Sequence, residues 1–190
     1  MDEPIAAINE VEAQNDVVEA AGYHTDAIEL RDEAQQDLTQ ADAYQHMGLA
    51  TDATTMRTEA AHLQVTADDF DRRSGLLAEA AGDLRGEVLL SEERHHVRDL
   101  TASADTQASD AQDHLKDPSL SEADKTTYVA QSGAATGQAA ALRGREDALT
   151  LEMDADRHQA TADEAEAHKG MEGRPIPGQG HPPAIKPDGG

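Results

Sequence analysis

The chain has no cysteine and no tryptophan, and its only aromatic residues are Tyr23, Tyr44, Phe70 and Tyr128. Without cysteine there are no disulfides, thiolate ligands or cysteine nucleophiles. Basic charge is equally scarce: 15 Lys and Arg stand against 39 Asp and Glu, for a net charge of -24. Phosphate recognition needs a basic stripe, so neither direct nucleic-acid binding nor binding to an anionic membrane is expected. No apolar run approaches the length of a bilayer span. The first residues, MDEPIAAINE, lack the basic and apolar regions of a secretory leader. The expected location is therefore the cytoplasm. Proline is missing between Pro4 and Pro118 and again between Pro118 and Pro175, so nothing in those stretches forbids helix.

Large aliphatic residues are also few. Leu, Ile, Val and Phe make up about 15% of the chain, a level that with high charge normally signals disorder. Alanine makes up the shortfall. It has the highest helix propensity and loses no side-chain entropy on folding. Acidic, lysine-poor composition also arises from salt adaptation, so charge alone does not define a role.

The chain contains an internal echo. Residues 22–34 read GYHTDAIELRDEA, and residues 48–60 read GLATDATTMRTEA. Gly22, Gly48 and Gly75 recur at near-equal spacing, and Thr25-Asp26 and Thr51-Asp52 follow the first two. Glycine in the left-handed conformation ends a helix, and Thr or Asp caps the next. The spacing predicts 26-residue helix-turn repeats over about 22–74, with antiparallel neighbours. Asp117-Pro118-Ser119 predicts a second turn, capped by Ser119 with Glu122 or by Ser121 with Asp124. That turn would join a long helical hairpin over about 76–168. Gly82, Gly86, Gly133, Gly137 and Gly144 are expected to bend or break its helices. The expected fold is all-α, an antiparallel bundle or short α-solenoid of about five helices, forming one helical domain over 1–169. Five of the seven prolines lie between 175 and 187, so 170–190 is expected to be a flexible, disordered tail.

A heptad seam runs through the second copy. Its large positions are Leu49, Met56, Leu63, Phe70, Leu77 and Leu84, and its small positions are Ala53, Ala60, Ala67, Ser74 and Ala81. A second row of alanines runs through Ala6, Ala13, Ala20, Ala27, Ala34 and Ala41. Such rows let antiparallel helices approach closely, with a large residue of one expected over an alanine of the other. The resulting core is thin. Self-association or a protein partner would complete it, and the six large seam residues are the candidate contact set.

Ala41, Ala43, Tyr44, Gly48, Ala53 and Ala60 are spaced like the small, aromatic and glycine positions of a tetratricopeptide repeat, and Gly22, Ala27 and Ala34 repeat its second half. Over about residues 22–63 the chain resembles that family. Asp37, Gln40 and Arg57 depart from its pattern, and the closing proline is absent. The resemblance implies an α-solenoid with a peptide-binding groove.

Glu-x-x-His occurs at Glu59/His62, Glu92/His95 and Glu93/His96, the spacing that di-iron helical bundles use. Glu29, Glu33, Glu146 and Glu152 are the further carboxylates such a bundle would need. Glutamate is so abundant that chance supplies such pairs, and solvated pairs on one helix face are the simpler account. His95-His96 lies in the charged run SEERHHVRD. There is no phosphate loop, nucleophile elbow or His-Glu-x-x-His motif. No enzymatic activity and no cofactor are expected. The functional expectation is a helical scaffold or adaptor, a homo-oligomer or one with a protein partner, in the manner of assembly proteins of mobile elements or particles. The alternatives are an acidic decoy of nucleic acid that binds a basic protein, and a di-metal carboxylate bundle.

Overall fold

The computed structural model describes residues 3–171, with side chains from residue 7. It is all-helical, with three helices among the described residues: α1 (Glu3–His46), α2 (Ala50–His114) and α3 (Glu122–His168). The expected helix count of about five is therefore corrected to three. The 170–190 tail falls almost wholly outside the described residues.

The helix count is lower because only two of the candidate stops work. Gly48 has φ +77°, the left-handed value that ends a helix. There the Leu49 N–H donates to the Tyr44 carbonyl at 2.9 Å and the Gly48 N–H to the Gln45 carbonyl at 3.1 Å. This pair of bonds satisfies the last carbonyls of α1 in a Schellman arrangement. At the second stop, Asp117 accepts from the Ser119 N–H and hydroxyl at 2.8 and 2.7 Å. Ser121 then caps α3. Its hydroxyl accepts from the Asp124 N–H at 3.2 Å and donates to the Asp124 carboxylate at 2.6 Å.

Gly22 and Gly75 lie inside helices instead of ending them, as do Gly82, Gly86, Gly133, Gly137 and Gly144. Each costs about 1 kcal/mol relative to alanine. They sit in long runs without proline, where alanines from Ala13 to Ala41 on α1 and from Ala53 to Ala81 on α2 are buried at heptad spacing. The 26-residue echo is thus written across one turn, with its first copy wholly within α1.

The chain divides into two compact units. One comprises Glu10–Leu84 with the chain from Gln159 onward. In it α1 runs antiparallel to α2 and parallel to α3. Tyr23 meets Phe70 edge-to-face at 5.4 Å, and the Ala13 level of α1 meets Ala80, Ala81 and Leu84 of α2 and Ala160 of α3. A second cluster joins Ala20, Tyr23, Leu77 and Ala167, with Phe70, Leu76 and Met171 against it.

The register set by Tyr23 and Phe70 brings Ala27, Ala34 and Ala41 level with Ala67, Ala60 and Ala53. All six are buried. Small therefore faces small at these levels, rather than large over small throughout. Methyl-on-methyl layers permit the closest approach of two helix backbones. Large-over-small packing is found where α3 joins, at Leu77 and Leu84.

The other unit comprises the start of α1 through Asn9 together with Arg85–His158. Here α2 and α3 pack antiparallel. Ala104, Ala108 and Ala111 of α2 and Ala135, Ala139, Leu149 and Met153 of α3 are buried. His114 stacks on Tyr128 with ring centroids 4.7 Å apart beside the turn that joins the two helices.

Candidate functional site

Of the six large seam residues, Leu77 and Leu84 are buried in the two apolar clusters, while Met56, Leu63 and Phe70 are half-buried between α1 and α2. Leu49 is exposed at the α1–α2 turn, next to exposed Met47. The seam thus lies against α1, and what it offers to solvent is the outer edge of Met56, Leu63 and Phe70 together with Leu49. The residues that carry the tetratricopeptide resemblance flank the same turn. Ala41, Ala53 and Ala60 are buried, Tyr44 is half-buried and Gly48 makes the turn, whereas Gly22, Ala27 and Ala34 lie within α1.

The metal candidates Glu59, His62, Glu92 and His95 are all exposed on α2. Glu59 and His62 line an open depression with Glu33 and Asp37 of α1. Among the described residues no three His, Asp or Glu side chains converge closely enough to hold a metal ion.

Many large aliphatic residues are exposed, and few are fully buried. Among the described residues, seventeen of the twenty-three buried apolar residues are alanine, whereas Val11, Val18, Ile28, Val65, Leu89, Val129 and Leu151 are exposed. Val11 and Val18 are one heptad apart on α1, on the side opposite Ala13 and Ala20. Sequence reading traced the seam but not this second face. The hydropathy of α1 has almost no helical period, because alanine inside and valine or isoleucine outside cancel.

Arginine was the other missed feature. Arg31 bridges to Asp68 and Asp71, and Arg57 to Asp42 and Gln45, linking α1 to α2. Arg143 meets Asp105 at 2.6 Å, Arg145 meets Glu93 at 2.8 Å, and Arg98 pairs with Glu146, linking α2 to α3. Each exposed pair contributes little stability. Together they fix which residues face each other, since any shift in register breaks several at once. Buried Arg73 bonds to Asp69 at 2.7 Å and donates to the Ala167 carbonyl of α3.

A carboxylate cluster lies in the seam between α1 and α3. Asp16 occupies a core position of α1 between Ala13 and Ala20, is only 8% exposed, and has Oδ2 without a hydrogen-bond partner. Burial lifts its pKa from 3.8 to about 6. Glu164, Glu19 and Glu12 add to the rise, and His168 opposes it. Burial also raises the Glu164 carboxyl, with further upward pressure from Glu12 and Glu19 and opposition from His168. His168 contacts Glu19 at 2.7 Å, and Gln159 donates to buried Asp163 at 3.0 Å. Proximity to Ala13 and Ala20 in the row could have marked Asp16 in the sequence, as a polar residue at an apolar heptad level.

No family model, curated protein or solved structure matches the chain. Among the described residues, no helix is long and apolar enough to cross a membrane.

Proposed function

We propose that the protein is a non-enzymatic, cytoplasmic helical scaffold that acts through exposed helix faces, primarily by self-association. The observation that carries this reading is the inversion of side-chain size. A core built mainly of alanine buries about one methyl per position, whereas a fully buried Val, Leu or Ile contributes about 1.5–3 kcal/mol. Many of the side chains able to provide that larger contribution stand outside, on α1, α2 and α3. Burying them against a second copy adds the apolar area that the chain does not bury alone. The arginine links support a pre-organised surface, since they hold facing helices in one register before any partner arrives.

Light scattering over a series from micromolar to millimolar tests the reading. The expected result is a mass that rises with concentration, and a Val11→Glu/Val18→Glu double variant that stays at the monomer mass. A constant monomer mass for the unaltered protein contradicts self-association.

The arginine pattern favours a second reading, the acidic decoy. Arg31, Arg57, Arg98, Arg143 and Arg145 are engaged with carboxylates, and the chain carries 39 acids against 15 Lys and Arg. Salt-sensitive binding of a basic DNA-binding protein would support it, and no binding at low salt would remove it.

A further inference from the structure

Three helices meet in the unit formed by Glu10–Leu84 and the chain from Gln159 onward, and the α3 contribution is the slightest. Residues 159–171 place only Ala160 and Ala167 within the apolar clusters, with the partly buried Met171 against the second, and two alanines bury little area. Three polar contacts also attach the segment. His168 meets Glu19, Arg72 meets Glu166 at 3.2 Å, and Arg73 bonds to the Ala167 carbonyl.

Against this weak attachment stand the carboxylates. Glu12, Asp16 and Glu19 of α1 face Glu164 of α3, with His168 as the basic side chain of α3 acting on Asp16. On α2, the adjoining layers present Ala80, Ala81 and Leu77. Its charged residues in that stretch are Asp69, Asp71, Arg72, Arg73, Glu79 and Asp83. Of these, Asp69 and Arg73 act one layer away, on Tyr23. Asp16 Oδ2 has no donor to replace the water it loses on burial.

We infer that residues 159–171 form a proton-locked clasp, held down on α1 in mild acid and released toward neutral pH to uncover the Tyr23–Leu77 layer. A proton on Asp16 removes the buried charge and its repulsion from Glu164, Glu19 and Glu12. When the clasp lifts, Asp16 regains water and an ordinary carboxyl pKa. Between about pH 4 and 6 the open form releases its proton while the closed form retains it. The clasp therefore weakens as pH rises through that window. It is weakest above about 6, where Asp16 is ionised in both forms, and strongest below about 4, where both are protonated.

Hydrogen exchange of the full chain, followed by mass spectrometry and corrected for the intrinsic pH dependence of amide exchange, tests the inference. Protection of 159–171 is expected to be about tenfold greater at about pH 5 than at about pH 7.5. Asp16→Asn, neutral and of the same shape, is expected to give high protection at both. Glu29→Gln, which removes an exposed charge of α1 away from the cluster, is expected to keep the wild-type ratio. Equal protection of the wild type at both pH values overturns the clasp, as does an Asp16→Asn variant that keeps the wild-type ratio. If Asp16→Asn does not fold, Glu164→Gln serves in its place. A reduced pH ratio is then the supporting result, and an unchanged ratio the contrary one.

Discussion

At the scale of the residue, alanine in this chain is a core residue. Ala27, Ala34 and Ala41 on α1 and Ala53, Ala60 and Ala67 on α2 are as buried as leucines are in most cores. Their value is smallness, which sets how near the two backbones lie. Ala34→Leu is therefore expected to destabilise the protein by about 1–3 kcal/mol in chemical denaturation, the usual effect of overpacking. An exposed alanine would tolerate the same change at little cost. The alanine rows were legible in the sequence because they recur every seven residues. What each row faces was not, since the level of α2 opposite Ala34 depends on where the chain turns. The arginine links, and the carboxylates gathered around Asp16, were illegible for a related reason. A carboxylate or guanidinium in a chain this charged stands out only when its neighbours across the seam are known.

At the scale of the element, the boundaries are decided by combinations of signals. Gly48 ends α1 because glycine, a left-handed φ and a pair of capping bonds coincide. Gly75 has the same sequence spacing but stays inside α2, where an added Cβ would meet nothing within 4 Å. The two glycines should respond oppositely to the same change. Gly75→Ala is expected to raise stability by about 0.5–1 kcal/mol, by lowering the entropy of the unfolded chain and improving helix propensity. Gly48→Ala is expected to lower it by about 1 kcal/mol or more, since alanine is strained at φ +77°. Thermal unfolding of the two variants side by side provides the check. The turn at Asp117-Pro118-Ser119 was legible because proline and a serine cap mark it independently of glycine. Of the turns expected at Gly22, Gly48 and Gly75, only that at Gly48 is present, because glycine followed by Thr-Asp, as at Gly22, does not suffice to end a helix.

At the scale of the whole molecule, a net charge of -24 opposes compaction, and the core that resists it is mainly alanine. The fold class and the absence of catalytic motifs could be read from composition and periodicity. The outward-facing aliphatic residues could not, because a helix with apolar residues on both sides shows no clear stripe. Those residues connect the thin core to the proposed role, since association would supply the burial that folding alone does not. Linkage then requires that association stabilise the fold. The most direct test is the thermal unfolding midpoint measured over a wide range of protein concentration in one buffer. A midpoint that climbs with concentration is the predicted result, and one that stays fixed from dilute to concentrated solution would contradict the account.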